Sequence, residues 1–512
     1  MVFSDLAFIF HFFPIFLIVY YIARGKARNI VLLLGSLIFY ALGSPIYVLL
    51  LIASVLINYL IANRIQAVYA LKRIEAKLDS DTAENKQEET ESSIEIIDFD
   101  KEDETSEDEG KTEEHVKPGV AATIWLITGL IYNLGVLCVF KYLDFILDVT
   151  DSAFGTGIKG PGLALPLGIS FYTFQMISFI VDVYRQNTEN RVSFIHFAVY
   201  STMFPQIASG PITRYGEVIE TLKRKKGVKT AYLEKGMIAF ILGLGYKVLL
   251  ADKIAALWND VWRVGAYGID VATAWLGSWA YSMQIYFDFW GYSLMAMGVA
   301  GMLGFNLPIN FTEPYSSKTM TGFWRNWHVT LGRWFKDYLY IPLGGNRCSK
   351  IRMLFNMLVV WLLTGIWHGA GYNFIIWGLF LFAILTIEKL TYGKWMENTK
   401  VIGHIYMIIL IPISWTIFNI TDISELGAYL MRMVNIPLEG MVVYGFNQFT
   451  ELIGTYWWIM GLCILFATPF PMRFIRKYKN NMFTKLILLA IFWYSVYQVA
   501  ITGDNPFIYF QF

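Results

Sequence analysis

Long apolar runs recur along almost the whole chain, and they constrain its fold more than any other feature. A membrane-spanning helix needs about 20 mainly apolar residues, so each run is a candidate span. The runs lie near residues 6–23, 29–43, 46–63, 120–140, 165–184, 233–250, 272–303, 353–367, 374–391, 404–421, 456–470 and 484–502. We therefore predict an all-α integral membrane protein with about eleven to thirteen membrane-embedded helices.

The small number of charged residues supports this prediction. Only 16% of the residues are charged and 56% are hydrophobic, whereas soluble domains carry about 25% charged residues. The chain has too few charges to cover the surface of a soluble enzyme. We expect its surroundings to be the lipid bilayer, and we expect no nucleic-acid partner.

One strongly acidic segment divides the chain. Residues 81–118 contain 16 Asp and Glu against four Lys and Arg, so the rest of the chain is basic although the total charge is only +1. High net charge with few apolar residues predicts disorder. The predicted parts are N-terminal transmembrane helices (1–78), a disordered cytoplasmic insert (79–118) and a transmembrane core (119–512). A docking tail for a basic partner is the alternative interpretation of the insert.

Basic clusters predict the orientation, because loops rich in Lys and Arg stay in the cytoplasm. The clusters are Arg24, Lys26 and Arg28; Arg64, Lys72, Arg73 and Lys77; Arg214, Lys223, Arg224, Lys225, Lys226 and Lys229; and Arg473, Arg476, Lys477 and Lys479. The first two clusters are separated by two crossings and therefore share one side. We predict a multi-pass membrane protein with its N-terminus outside.

Two further segments, near 194–212 and 321–346, are rich in aromatic residues but too polar to face lipid throughout. We expect them to be interfacial or re-entrant. The aromatic spacing within 323–338 predicts one continuous helix, with His328 beside its apolar face and one turn from Arg325. Glycine and proline then predict a break at Pro342 and Gly344.

Ionisable side chains at membrane depth are candidates for function because their burial is expensive. His368 ends an apolar run and precedes glycines, where a substrate can approach closely. A histidine can take a proton from a hydroxyl near neutral pH, so His368 and His328 suggest acyl transfer to an alcohol. The alternative is that either histidine only bonds helices together. The three cysteines are far apart, and we predict no metal site.

These residues lie in motifs that resemble the membrane-bound O-acyltransferase (MBOAT) family, and more narrowly its bacterial alginate O-acetylation branch. The motifs are MVFS (1–4), LPLGISFYTFQ (165–175), DVYR (182–185), FPQIASGPI (204–212), QIYFDFWGYS (284–293), FWRNWHVTLGRWFKDYLYIPLGGNR (323–347) and TGIWHGAGYNFIIWG (364–378). Together they are specific, and they cover most of the chain outside the acidic insert.

The resemblance implies helices arranged around a central tunnel, with His368 as the family's invariant histidine and His328 as its second one. We hypothesise that His368 is a general base or proton carrier and that His328 orients a substrate. Further candidates for substrate contact or for the lining of the tunnel are Arg325, Asn326, Asp288, Trp367 and Asn373.

The resemblance also implies a location in the bacterial cytoplasmic membrane, the direction of the reaction and its participants. An acyl group, most simply acetyl, moves from a cytoplasmic thioester to an extracytoplasmic polysaccharide. The donor is acetyl-CoA or an acyl carrier protein, and no tightly bound cofactor is expected. An extracytoplasmic acetyltransferase of the SGNH type is the expected partner. The alternatives are D-alanyl transfer to teichoic acid and, from another class of function, a polytopic transporter or flippase.

Overall fold

A computed structural model describes residues 1–91, 116–224, 227–441, 447–503 and 507–508, with only the backbone described in 79–91. The regular structure within these residues is helical, which confirms the all-α prediction. The α-helices are α1 (Phe13–Ile22), α2 (Lys26–Gly43), α3 (Val48–Glu91), α4 (Val120–Lys141), α5 (Leu143–Phe154), α6 (Ile169–Tyr184), α7 (Phe194–Thr202), α8 (Phe204–Ile207), α9 (Tyr215–Lys223), α10 (Thr230–Gly245), α11 (Asp252–Val264), α12 (Val271–Met302), α13 (Met320–Asn326), α14 (Val329–Phe335), α15 (Lys350–His368), α16 (Tyr372–Leu390), α17 (Gly393–Asn398), α18 (Ile402–Asn419), α19 (Ile423–Met433), α20 (Asn447–Phe466), α21 (Phe470–Tyr478) and α22 (Met482–Thr502).

Every predicted apolar run falls on a helix. Among the described residues, eight helices are long and apolar enough to cross a membrane, namely α2, α3, α4, α15, α16, α18, α20 and α22. Helices α1 and α6 are apolar but shorter. Helix α12 has 32 residues and is buried along most of its length. The protein is therefore a multi-pass membrane protein built around a protein-covered central helix.

Helix α3 corrects one boundary. It continues through Glu91, well beyond the apolar run that ends near residue 63 and into the segment predicted to be disordered. The residues that follow the run are mostly Ala, Leu, Lys, Arg, Glu and Gln, which favour helix, and extending an existing helix needs no new nucleus. Residues 92–115 of the insert, with His115, and the basic pair 225–226 lie outside the described residues.

Helix α12 forms the centre of the fold, with α10, α11, α18, α19 and α20 packed around it. Small residues permit the closest of these approaches, since Gly236 and Gly243 on α10 lie against Gly298 and Gly291 on α12. Such contacts let van der Waals packing hold membrane helices together. The central helix is thereby held closely against α10.

The two aromatic, more polar segments form short broken helices instead of spans. Helices α7 and α8 are separated at Met203 and are largely buried in the protein. Helices α13 and α14 are likewise short, and a π-helical turn at Lys336–Tyr340 follows them. Irregular backbone of this kind is tolerated at membrane depth where protein covers it.

The α10–α12 contact gives a direct test of the packing. A Cβ atom at Gly243 would overlap the carbonyl oxygen of Gly291 and the amide nitrogen of Met295. We expect Gly243→Ala to lower the free energy of unfolding by about 1–3 kcal/mol, as overpacking does. Gly461→Ala on α20 is the matched control, because no atom lies within 4 Å of its Cβ position. Unfolding of both variants in detergent checks this, and equal stability would contradict the contact.

Candidate active site

The chain breaks its helix at His328, and this corrects the prediction of one continuous helix over 323–338. Helix α13 ends at Asn326, Trp327 is extended, and His328 adopts a left-handed backbone conformation with φ 43° and ψ 51°. Residues other than glycine rarely adopt positive φ, and such strain collects at functional sites. The break turns the histidine into the protein, where its side chain is buried.

Asn310 is the physical reason for this break. Its backbone oxygen accepts a hydrogen bond from the Val329 amide at 3.0 Å. Its side-chain oxygen accepts bonds from the Thr330 amide at 3.3 Å and the Thr330 hydroxyl at 2.8 Å. His328 Nδ1 lies 3.1 Å from the same oxygen. Since this oxygen accepts, Nδ1 carries the proton and Nε2 is the nitrogen able to accept one.

A cavity of about 780 Å³ opens beside His328, and we name it the His328 cavity. Its charged lining residues are Arg325, Arg333, Lys336, Lys389, Lys394, Glu388 and Glu397. Glu388 is buried and accepts hydrogen bonds from the amides of Met320 and Thr321 at 2.6 and 2.8 Å, so it holds the start of α13. The balance of these charges makes the cavity positive.

His368 is the last residue of α15, as its position before glycines suggested, and Gly369 is extended. Helix α15 approaches α16 closely at Gly365, where a Cβ atom would overlap the carbonyl oxygen of Phe374. His368 Nδ1 lies 2.6 Å from the carbonyl oxygen of Thr364. A carbonyl oxygen only accepts, so Nδ1 carries the proton and Nε2 is again the nitrogen able to act as a base.

A second cavity, of about 300 Å³, lies beside His368, and we name it the His368 cavity. Its lining includes Lys141, Trp367, Ser44, Ser170 and Ser209. The described residues that line this cavity include none that line the His328 cavity. Helix α15 contributes to both, through Thr364 to the His328 cavity and through His368 to the other.

Trp367, Phe171 and Phe174 form an aromatic cluster between the two cavities, and we name it the neck. The Trp367 ring lies 4.9 Å from the His368 ring and 6.3 Å from the His328 ring, measured between centroids. Phe171 and Phe174 pack on the same tryptophan at 5.7 and 5.3 Å. The structure therefore brings both predicted histidines against one buried indole.

The other predicted candidates have different environments. Arg325 lines the His328 cavity and Trp367 lines the His368 cavity. The Asn326 side chain bonds Thr312 and Ser317 and lines neither cavity. These bonds fix the end of α13, two residues before His328 in the chain.

Asp288 and Asn373 also lie outside both linings. Asp288 is buried in an ion pair with Lys247 at 2.8 Å. Asn373 donates to the carbonyl oxygen of Phe418 at 2.8 Å and satisfies the end of α18. Both residues support the fold around the neck.

Sequence reasoning missed Asn310 and Lys141. Asn310 lies in the loop between α12 and α13, with no motif that marks it as the partner of His328. Lys141 ends an apolar run, where a basic residue usually indicates the membrane surface. Its ammonium group instead bonds the carbonyl oxygens of Trp367 and His368 at 2.7 and 3.1 Å.

Comparisons with known proteins show the family of this chain. Residues 183–431 match the model of the membrane-bound O-acyltransferase family. The chain is 33% identical to the "Probable alginate O-acetylase AlgI" of Pseudomonas aeruginosa over 462 residues, which cover 88% of this chain and 77% of that protein. It is 31% identical to the peptidoglycan O-acetyltransferase of Helicobacter pylori, with 85% and 80% covered. The teichoic acid D-alanyltransferase of Bacillus subtilis is 29% identical, with 46% and 61% covered.

The bonds to Asn310 predict a large effect of its removal. Asn310→Ala leaves three buried donors of His328 and Thr330 without their acceptor. We therefore expect the free energy of unfolding to fall by about 3 kcal/mol or more. Asn326→Ala removes bonds that are partly open to solvent, and we expect a loss of about 1 kcal/mol or less. Thermal unfolding in detergent compares the two. The position assigned to Asn310 is wrong if its variant is the more stable one.

Proposed function

This chain belongs to the membrane-bound O-acyltransferase family and is an O-acyltransferase. We propose that it acetylates an extracytoplasmic polysaccharide. The acetyl group comes from a cytoplasmic thioester and passes through the neck between the two cavities. The family assignment decides against the transporter or flippase considered from the sequence.

One observation carries the proposal: His328 and His368 face the same indole from cavities that share no lining residue among those described. Each ring is fixed through Nδ1, which leaves Nε2 as the basic nitrogen. A thioester reaching the neck from one cavity and a hydroxyl reaching it from the other would meet beside these nitrogens. This arrangement supports acyl transfer across the protein.

The distribution of charge supports the direction of transfer. Helix α2 begins at Lys26, next to a basic cluster, and ends at Gly43, which lines the His368 cavity. The positive-inside rule assigns the Lys26 end to the cytoplasm. In this orientation the His368 cavity opens to the outside and the His328 cavity to the cytoplasm.

The positive lining of the His328 cavity supports an anionic donor. Arg325, Lys336, Lys389 and Lys394 all line it. The thioesters considered from the sequence, acetyl-CoA and the acyl carrier protein, both carry phosphate on the arm that bears the sulfur. Arg and Lys bind such groups through charge-assisted hydrogen bonds.

The reaction we propose needs only the two substrates and a base. His368 Nε2 takes the proton of the acceptor hydroxyl as the oxygen attacks the acetyl carbon. The new C–O bond forms, the C–S bond breaks, and the proton passes to the departing thiolate. His328 holds the thioester in line at the neck.

The relatives support acetyl as the acyl group and a polysaccharide as the final acceptor. Proteins named for O-acetylation of alginate and of peptidoglycan match most of this chain, whereas the D-alanyltransferase matches less than half of it. We propose that an extracytoplasmic SGNH-type acetyltransferase works with the protein at the outer opening. Its serine would then be the hydroxyl that first receives the acetyl group.

Replacement of His368 tests the proposed function. We expect His368→Ala to reduce the acetyl content of the envelope polymer at least about 100-fold, because a general base contributes about 10²–10⁴ in rate. Mass analysis of the polymer from cells with matched membrane abundance measures this effect. His404→Ala is the control, since His404 is a half-buried histidine on α18 that lines neither cavity. Full acetylation with His368→Ala would end the catalytic assignment.

Charge removal in the His328 cavity tests the donor side. We expect Arg325→Ala to raise the apparent KM for acetyl-CoA in membrane preparations about 10-fold, with kcat nearly unchanged, because one charge-assisted bond is lost. Arg352→Ala removes an arginine of α15 that contacts Phe355 and does not line the cavity. The donor site assigned to this cavity fails if the two variants behave alike.

A further inference from the structure

The end of α15 is capped by two consecutive residues from another part of the chain. The last carbonyl groups of a helix have no partner within it. Tyr142 donates its hydroxyl to the Ile366 oxygen at 2.9 Å. Lys141 Nζ donates to the Trp367 oxygen at 2.7 Å and the His368 oxygen at 3.1 Å. The last three carbonyl oxygens of the helix that ends at His368 are therefore all bonded.

This cap comes from the junction between α4 and α5. Helix α4 ends at Lys141, Tyr142 lies between the two helices with φ −118° and ψ −12°, and α5 begins at Leu143. The change of direction places two neighbouring side chains over the same helix end. Gly369 follows His368 in extended conformation, so α15 lacks the left-handed glycine that often closes helices.

A cation suits this place for a second reason. The carboxyl end of a helix carries partial negative charge, which Lys stabilises. Lys141 also lies over the Trp367 ring at 5.8 Å. It lines the His368 cavity, where it is the one charged side chain among the described lining residues. The ammonium group of Lys141 thus contacts the backbone of both Trp367 and His368.

We propose that Lys141, with Tyr142, is a positioning clamp that holds His368 and Trp367 in register at the neck. The inference rests on the proposed function only where it predicts a loss of turnover. The clamp acts through the backbone of α15, which orients the imidazole relative to Thr364. Without it, the last turn of α15 loses the bonds that fix its end, and His368 moves out of line with the thioester.

The alternative is a lysine that ends a span and reaches for the membrane surface, as long basic side chains do. In that case Nζ would bond water or lipid, and its loss would not affect the site. The bonds from Nζ to the carbonyl oxygens of Trp367 and His368 favour the clamp. The two interpretations predict different results for the same substitution.

The first experiment measures turnover and stability together. We expect Lys141→Met to lower kcat for acetyl transfer at least about 10-fold with KM for the donor within about twofold, because small misplacements of a base are costly. Lys141→Arg keeps the cation and should retain more activity. Tyr142→Phe removes one bond and keeps the ring, and it should give a smaller loss.

Lys253→Met is the matched control. Lys253 bonds the side chain of Gln498 at 2.6 Å, away from both cavities. Its variant loses a lysine bond between helices without touching the neck. If Lys141→Met keeps the kcat of this control, the clamp is refuted.

The second experiment measures the chemical accessibility of His368 and does not depend on turnover. Diethyl pyrocarbonate modifies accessible histidines, and mass spectrometry of the purified protein gives the rate at His368. We expect that rate to change at least about threefold in Lys141→Met and to stay unchanged in Lys253→Met. An unchanged rate in the folded variant overturns the clamp, whatever its activity. Retained activity of His368→Ala would instead overturn the proposed function, so the two failures are distinguishable.

Discussion

Both histidines at the neck donate from Nδ1 to an oxygen that the fold holds in place, and the rest of the site depends on these two bonds. For His368 the oxygen belongs to the preceding turn of its own helix, the carbonyl of Thr364. For His328 it belongs to Asn310, from a loop that the chain forms before α13. The two anchors differ in origin but have the same chemical result, because each fixes the tautomer and leaves Nε2 as the base.

Aromatic packing strengthens the hydrogen bonds of the two histidines, because it surrounds them with apolar rings. Both histidines pack near Trp367, Phe174 stacks on the same indole, and Trp334 stacks on Phe174 at 3.7 Å. Rings packed in this way keep water away from the neck, so hydrogen bonds there act in a medium of low dielectric constant. In the proposed reaction, exclusion of water would protect the thioester from hydrolysis until the hydroxyl attacks it. The aromatic content that first predicted membrane interfaces also forms the dry part of the site.

Sequence reasoning succeeded where one local pattern decides the structure. The apolar runs locate the helices, because lipid forces each span to satisfy its own backbone. The position of His368 at the end of a helix follows from its place at the end of an apolar run, and its function stays a prediction that rests on the cost of burying an ionisable side chain. The failures have a common cause in contacts between distant segments. The break at His328 depends on Asn310, and the cap on α15 depends on Lys141, and neither partner carries a local signal. Helix α3 overran its predicted end because apolar periodicity is not the only source of helix.

Asp288 shows why a buried charge near the neck need not take part in chemistry. It lies one residue before Phe289, whose ring packs 4.7 Å from His328. A buried ion pair is stable only when its remaining hydrogen-bonding capacity is used. Lys247 bonds Asp288 at 2.8 Å and Asp252 at 2.7 Å, and the Ile508 amide donates to Asp288 at 2.8 Å. The pair therefore joins α12 to the end of α10 and to a distant part of the chain. Removing Lys247 would leave Asp288 buried without its cation, at a cost of about 3–5 kcal/mol, and would disturb the packing of Phe289 on α12 against the histidine. A loss of activity in such a variant would accordingly follow from a loss of structure, whereas the roles proposed for the histidines require contact with the substrates themselves.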